Sequence, residues 1–362
     1  MKSTILTLGF ALLTLASCSK DDETAPIAGT PASTGAIKQP EVGGANQPNQ
    51  VYLDLSTETS TPVNRASWDF GFSSGADFRV AINGAVKMAV KQLATTDMSI
   101  TQTSDASVAV GAGTNPASNG YCDNPTGILV GAGAGIGTAI AEVSANDADN
   151  KVYLVNLGFA VSTTTPNVGS VSIDGDARGW KKVRFLRNGN GYKIQYADLD
   201  SATFTEKTIS KDAEFNFTFF SMASGTTVAV EPQKTKWDVC FTTFTNYLNA
   251  GTEVTYGYSD FITTNMKGGT KAYQVLTSEF TYDAFTKSKI VEANFTTSAT
   301  DQRIIGSNWR NGGGPSTLPS VKTDRFYVVK DVAGNYYKIK FLAMTNDAGV
   351  RGNPTIQYAI LN

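Results

Sequence analysis

The chain has 362 residues, with 30 Lys plus Arg against 32 Asp plus Glu and no histidine. The balanced charge removes the electrostatic footprint needed to hold nucleic acid, and the missing histidine removes Ser/His/Asp and Cys/His catalysis and histidine-ligated metal sites. Paired carboxylates could still support hydrolysis, but nothing singles out a pair, so a binding protein is expected rather than an enzyme.

Lys2, the apolar run Ile5 to Leu15 and the small residues before Cys18 have the charged, apolar and cleavage parts of a secretory signal over residues 1–17. The run is too short to span a bilayer. Leu15-Ala16-Ser17-Cys18 resembles the lipobox of bacterial lipoproteins, which implies that Cys18 is acylated, as with palmitate, and becomes the mature N-terminus. Lys20-Asp21-Asp22-Glu23 resembles the surface-export signal of Bacteroidetes lipoproteins, implying a lipid-anchored, outer-membrane, cell-surface location; on chemistry alone it is equally a solvated tether. Residues 19 to 50 hold no aromatic residue before Tyr52, carry Pro26, Pro31, Pro40 and Pro48, and are otherwise rich in Gly, Ala, Ser, Thr and Asn. Such a stretch buries too little apolar surface to offset its chain entropy, so 18–50 is expected to be a flexible stalk.

The remaining chain of about 310 residues exceeds one ordinary core and predicts two domains. Short alternating runs of Tyr, Phe, Val, Ile and Thr, separated by Gly, Asn and Asp, predict an all-β fold. Val51 to Leu55, Phe215 to Phe219 and Tyr336 to Phe341 read as half-buried strands, and Arg187-Asn188-Gly189-Asn190-Gly191 as a β-hairpin turn. Asn83 to Leu93 is the one stretch that suits a short helix. Cys122 and Cys240 are expected to be two separate buried thiols.

The chain then repeats itself. Trp68-Asp69-Phe70-Gly71-Phe72 returns as Trp237-Asp238-Val239-Cys240-Phe241, each downstream of a strand and a turn (Leu55-Ser56-Thr57; Phe220 to Gly225). Asp77-Phe78 to Leu93 matches Asp260-Phe261 to Leu276, and Gly189 to Tyr196 matches Gly334 to Phe341. Four landmarks in one order imply a duplication, with copies at 51–205 and 206–362 and the extra length of the first placed around 104–146. Asp69 and Asp238 point away from their tryptophans in an alternating strand and read as structural in each copy. The Gly alternation of Val130 to Gly137 lacks the strand, helix and acidic residue of a dinucleotide loop and reads as closely packed backbone or a loop. Asp174-Gly175-Asp176 lacks the further oxygens of a calcium loop and reads as a tight turn.

These landmarks resemble the HmuY family of haem-binding bacterial surface lipoproteins, most closely in Phe219-Phe220-Ser221, Trp237-Asp238-Val239, Asn265 to Gly269 and Arg325 to Val329 leading into Gly334-Asn335. The resemblance implies two tandem β-sandwich units that capture haem and pass it to an outer-membrane haem receptor. The family's histidine ligands have no counterpart here, and the loop Trp309-Arg310-Asn311-Gly312-Gly313-Gly314-Pro315, near the place of one of them, offers no soft ligand. Haem iron also accepts methionine, which makes Met266 and Met88 the candidate iron ligands and Met222 a further haem contact. Met88 lies 11 positions after Asp77 and Met266 only 6 after Asp260, so they are not equivalent; each methionine, like Met98 and Met344, also suits a core. The alternative expectation is a surface binding or adhesion lipoprotein of the same fold that has lost haem and recognises carbohydrate or protein through Trp309, Tyr256 and Tyr258.

Overall fold

Alternating apolar residues between Gly, Asn and Asp turns set this chain into antiparallel strands, each with one face turned to a core. The computed structural model describes residues 32–111, 120–249, 251–313 and 317–362. The secretory signal, Cys18, Lys20 to Glu23, Gly314 and Pro315 lie outside the described residues. Among those described, no helix is long and apolar enough to cross a membrane.

In chain order the strands are β1 (Gly35–Lys38), β2 (Asn49–Leu53), β3 (Ser60–Asn64), β4 (Phe70–Ser73), β5 (Val80–Ile82), β6 (Ala89–Gln92), β7 (Val152–Asn156), β8 (Phe159–Val161), β9 (Asp174–Ala177), β10 (Trp180–Asn188) and β11 (Gly191–Ala197). They continue with β12 (Thr205–Ile209), β13 (Phe217–Ser221), β14 (Thr226–Val228), β15 (Val239–Asn249), β16 (Glu253–Thr264), β17 (Lys271–Leu276), β18 (Arg310–Asn311), β19 (Ser320–Val321), β20 (Arg325–Lys330), β21 (Tyr336–Thr345) and β22 (Arg351–Ile360). Two sandwiches result. One packs the sheet β12-β11-β10-β7-β6 on β14-β13-β4-β5, around Phe70, Phe185, Tyr192 and Phe220. The other packs β1-β22-β21-β20-β17 on β16-β15-β2-β3, around Val239, Ile339, Phe341 and Tyr358.

The ladders display the duplication residue by residue. Phe185 pairs with Ile194 and Val183 with Tyr196, as Phe341 pairs with Ile356 and Ile339 with Tyr358. The sequence Ile194-Gln195-Tyr196-Ala197 therefore recurs, unchanged, as Ile356-Gln357-Tyr358-Ala359. Likewise Tyr153 on β7 corresponds to Tyr327 on β20 through their partners Val183 and Ile339.

The sandwiches do not coincide with the sequence copies, because the leading strands are exchanged. β2 and β3 of the first copy pair beside β15 of the second, while β13 and β14 of the second pair beside β4 of the first. The edge strands follow: β1 joins β22, and β12 joins β11. One sandwich is thus the continuous run β4 to β14, and the other is closed by the two ends of the chain. Between them lies a seam of Tyr52, Trp68, Phe219 and Trp237, packed edge to face in pairs at 5.0 Å (Tyr52 with Trp237) and 4.8 Å (Trp68 with Phe219).

Several expectations are corrected. From residue 32 onward the expected stalk is folded chain, since β1 gains a ladder partner and Val42 and Ala45 are buried. Asn83 to Leu93 is a single 3-10 turn, Gly84–Val86, followed by β6, because its apolar residues alternate and pair with β7. The match of Gly189–Tyr196 to Gly334–Phe341 joins strands that are not equivalent, β11 and β21. The Asp77–Leu93 match is one position out: Phe72 pairs Val80 as Phe241 pairs Ile262, which sets Phe78 against Asp260. Asp174 to Ala177 is strand β9. Most extra length of the first copy lies between β7 and β10, where β8 and β9 are inserted, whereas Asp331–Asn335 alone joins β20 to β21.

Candidate functional site

Each Trp-Asp strand is fixed by the same two anchors. Asn83 Nδ2 donates to the carbonyls of Arg65 and Trp68, both at 2.8 Å, and Asn265 Nδ2 donates to those of Lys234 and Trp237, also at 2.8 Å. Asp69 Oδ2 accepts the Met222 N–H at 2.6 Å, and Asp238 Oδ2 accepts the Leu55 N–H at 2.9 Å, so each aspartate clasps a strand exchanged from the other copy. The sequence reading of these aspartates as structural agrees with this.

Their electrostatics differ. Burial raises Asp69, opposed by the Arg178 guanidinium at 2.7 Å from Oδ1. Asp238 has no such cation: burial, with Asp331 and Asp54 nearby, pushes it up to about 7 against the Leu55 hydrogen bond. The buried hydroxyl of Tyr337 has no hydrogen-bond partner among the described residues. Among the described residues no cluster of carboxylates and thiols is arranged to hold a metal ion.

The turn after Asn265 builds the recesses of interest. Asn265 Oδ1 accepts the Gly268 N–H at 2.9 Å and an Asn216 amide hydrogen at 3.0 Å, which holds Met266 and Lys267 over the seam. On one side is a cavity of about 160 Å³, reached by Trp68, Met88, Cys122, Asp123, Phe217 and Lys267. Lys267 Nζ donates to the Gly127 carbonyl at 2.6 Å and lies 5.5 Å from the Phe217 ring centre. Burial lowers this ammonium to about 8 despite the pull of Glu231 and Asp123. Burial also raises Glu231 to about 7 and Asp123 to about 6, although both accept backbone N–H bonds. The buried thiols are unpaired, as expected, and burial pushes Cys122 up to about 12, which leaves it unreactive.

On the other side is an open groove of about 380 Å³, walled by Ile128, Leu129, Val130 and Phe215, with Met266, Lys234 and Lys267 along it. Val130 is 60 % exposed, an unusual cost for an apolar side chain beside a recess. Lys234 Nζ has no ion-pair or hydrogen-bond partner among the described residues. The glycines of the Val130–Gly137 loop keep this wall thin: a Cβ on Gly131 would lie 1.8 Å from the Ile136 carbonyl oxygen.

The candidate methionines do not converge. Met266 is half-buried in the groove. Met88 is fully buried in the core of the continuous sandwich and lines the smaller cavity, not the groove. Met222, partly buried, packs on the rim of that core. Trp309 is 1 % exposed, stacked on Phe341 at 4.4 Å with its N–H donated to the Asp260 carbonyl, so it is a core residue, whereas Tyr256 is exposed. Lys267, Glu231 and Asp123 carry no motif; the only sequence signal for them is that Lys267 falls within Asn265 to Gly269.

Comparison with a family model agrees with two copies in tandem. The family model described as HmuY protein matches residues 46–212 and again 213–358. No curated protein matches the chain. Among solved structures, the apo HmuY analog of Tannerella forsythia is 17% identical, covering 50% of this chain and 96% of its own, with a TM-score of 0.24. A Bacteroides vulgatus protein provisionally described as HmuY-like and haem-binding is 11% identical over 90% of this chain and 91% of its own, with a TM-score of 0.22. A Bacteroides fragilis protein provisionally described as a lipoprotein is 10% identical over 48% of this chain and 92% of its own, with a TM-score of 0.21.

Proposed function

The chain belongs to the HmuY family, twice over in tandem, and from that premise we propose that it is a haem-binding surface lipoprotein whose haem site is the groove around Met266. The observation that carries this reading is the position of Met266: of the three candidate thioethers it alone is half-exposed in an apolar recess of ligand size.

A porphyrin is a flat apolar ring with two carboxylates at one edge. Ile128, Val130 and Phe215 supply apolar wall, Met266 a soft donor for the iron, and the uncommitted Lys234 ammonium a partner for a carboxylate. The iron would accept the Met266 thioether, and the rest of the groove would supply burial and charge. Met266 has no thioether in the equivalent place of the other sandwich, where Gly84 follows the anchoring Asn83 as Met266 follows Asn265, so one haem per chain is expected. Acylation of Cys18 would tether the protein to the outer membrane, and an outer-membrane receptor would take the cargo.

The test is titration of the purified chain with ferric and ferrous haemin while the Soret and Q bands are recorded. A saturable shift at one equivalent is expected, altered by Met266→Ala. Met88→Ala should leave the bands unchanged. No saturable shift in either oxidation state, or one indifferent to Met266→Ala, overturns the reading.

A further inference from the structure

A second recess, separate from the Met266 groove, opens where the inserted strands β8 and β9 of one sandwich face β16 of the other. It encloses about 540 Å³ and is lined by Tyr256, Tyr258, Lys87, Asp174, Arg310 and Arg351. Behind its lining residues Arg310 and Arg351 stands Asp260, which is not a glycine yet holds φ at +48°. A break in register between β15 and β16 sets Asp260 there, and such bulges re-aim side chains. The strained backbone is held by Gln47, whose amide donates to Oδ1 at 2.7 Å and accepts the Asp260 N–H at 2.9 Å.

The charges do not balance. Arg351 Nε is 2.6 Å from Asp260 Oδ2, and its other nitrogens donate to the Gly312 carbonyl at 2.8 Å and Ser259 Oγ at 3.2 Å. Arg310 donates through Nε and Nη2 to the carbonyls of Asp260 and Ser259, and its Nε stands 3.8 Å from the carboxylate that Arg351 already occupies. Arg310 Nη1 has no partner among the described residues, although the side chain is only 9% exposed. Lys87 is paired with Asp174. Two carboxylates thus answer three cations, leaving one buried guanidinium short of an anion. Gly257 lets Lys87 cross β16 into the recess, since a Cβ there would meet Lys87 Cε at 2.1 Å. At the mouth Tyr256 is 49% exposed, propped edge to face on Tyr258 at 5.2 Å.

We propose that this recess binds a sugar acid, with the carboxylate on Arg310 and the C–H face of the ring against Tyr256. A carboxylate fits the fork of guanidinium donors better than any neutral group does, and an aromatic ring with a hydroxyl tip suits a ligand that is apolar on one face and hydroxylated at its edge. Ser172 and Ser259 hydroxyls, each in one hydrogen bond already and with capacity for another, line the recess with Gly312 and Gly313 and can meet the ligand's own hydroxyls.

The purified chain is titrated calorimetrically with glucuronate, galacturonate and N-acetylneuraminate, and in parallel with glucose and with acetate. At least one sugar acid should bind saturably at one equivalent, with glucose about tenfold weaker for want of the charge-assisted contact and acetate about tenfold weaker for want of the ring face. Arg310→Gln and Tyr256→Ser should each weaken binding by a similar factor. Tyr256→Ser serves as the decisive variant because this exposed side chain makes no hydrogen bond among the described residues that the fold could miss. No saturable binding by any of the three acids overturns the proposal, as does equal binding of acetate or of glucose, or Tyr256→Ser affinity equal to that of the parent. Saturating sugar acid should leave the haemin spectrum unchanged, so failure here and failure of the haem reading are told apart.

Discussion

Asp69 and Asp238 occupy one place in two copies of one unit, and the difference between them is a single arginine. Because burial raises Asp238 to about 7 from the 3.8 of an ordinary aspartic acid, the folded chain holds its proton more tightly than the unfolded one. The stability it contributes is full below about pH 4 and is lost as pH rises toward 7. Chemical denaturation of Asp238→Asn should therefore show a shallower fall in stability between pH 4 and pH 8 than the parent, and an equal slope would contradict the assignment. Arg178→Ala should cost about 3–5 kcal/mol at pH 7, the penalty for stranding the buried Asp69 charge. The Trp-Asp pairs were legible from their repetition in sequence; the arginine that answers one of them was not, since Arg178 lies on the inserted β8–β9 segment and has no counterpart in the other copy. Met88 was legible as a candidate because it falls within a segment matched between the copies; its burial was not, since a thioether suits core and ligand equally. Met88→Ala should cost about 2–5 kcal/mol in thermal or urea unfolding.

At the scale of elements, the Asn188–Gly191 hairpin follows from residues that tolerate positive φ, and Gly189 adopts +56°. Strand positions were read well and partners poorly. An alternating strand states which face is buried but not which neighbour receives it, so β2 and β13 look the same in sequence whether they stay in their own copy or cross. The one-residue error in matching Asp77 to Asp260 has the same origin, because a slip of one reverses faces without altering composition. The crossing is open to test. Phe220 on β13 is 1% exposed and pairs Phe70 of the first copy; Phe220→Ala should cost about 3–5 kcal/mol and raise amide exchange at Phe70 and Ile82 before it does at Val239 and Phe241. The opposite order would mean that β13 belongs energetically to its own copy.

For the whole molecule, two copies and an all-β fold were within reach of the sequence, and the exchange makes the copies a poor guide to what can stand alone. A fragment of residues 66–233 contains every strand of the continuous sandwich and should be a folded monomer by circular dichroism and light scattering. A fragment of 32–204, nearer to one sequence copy, leaves β4 without β13 and should associate or unfold. Monomeric, cooperative folding of the second fragment would refute the exchange as the source of stability. The other sandwich carries a schedule as well as a shape. Its β1 and β2 are made before the other described strands, yet β1 docks on β22, the last of them in chain order. Such distant partners make folding slow, so the opening strands must wait, unpaired, for the length of a synthesis. A chain cut short near its end would lose β22 and also release β1 at the other terminus, leaving two unpaired strand edges open to aggregation.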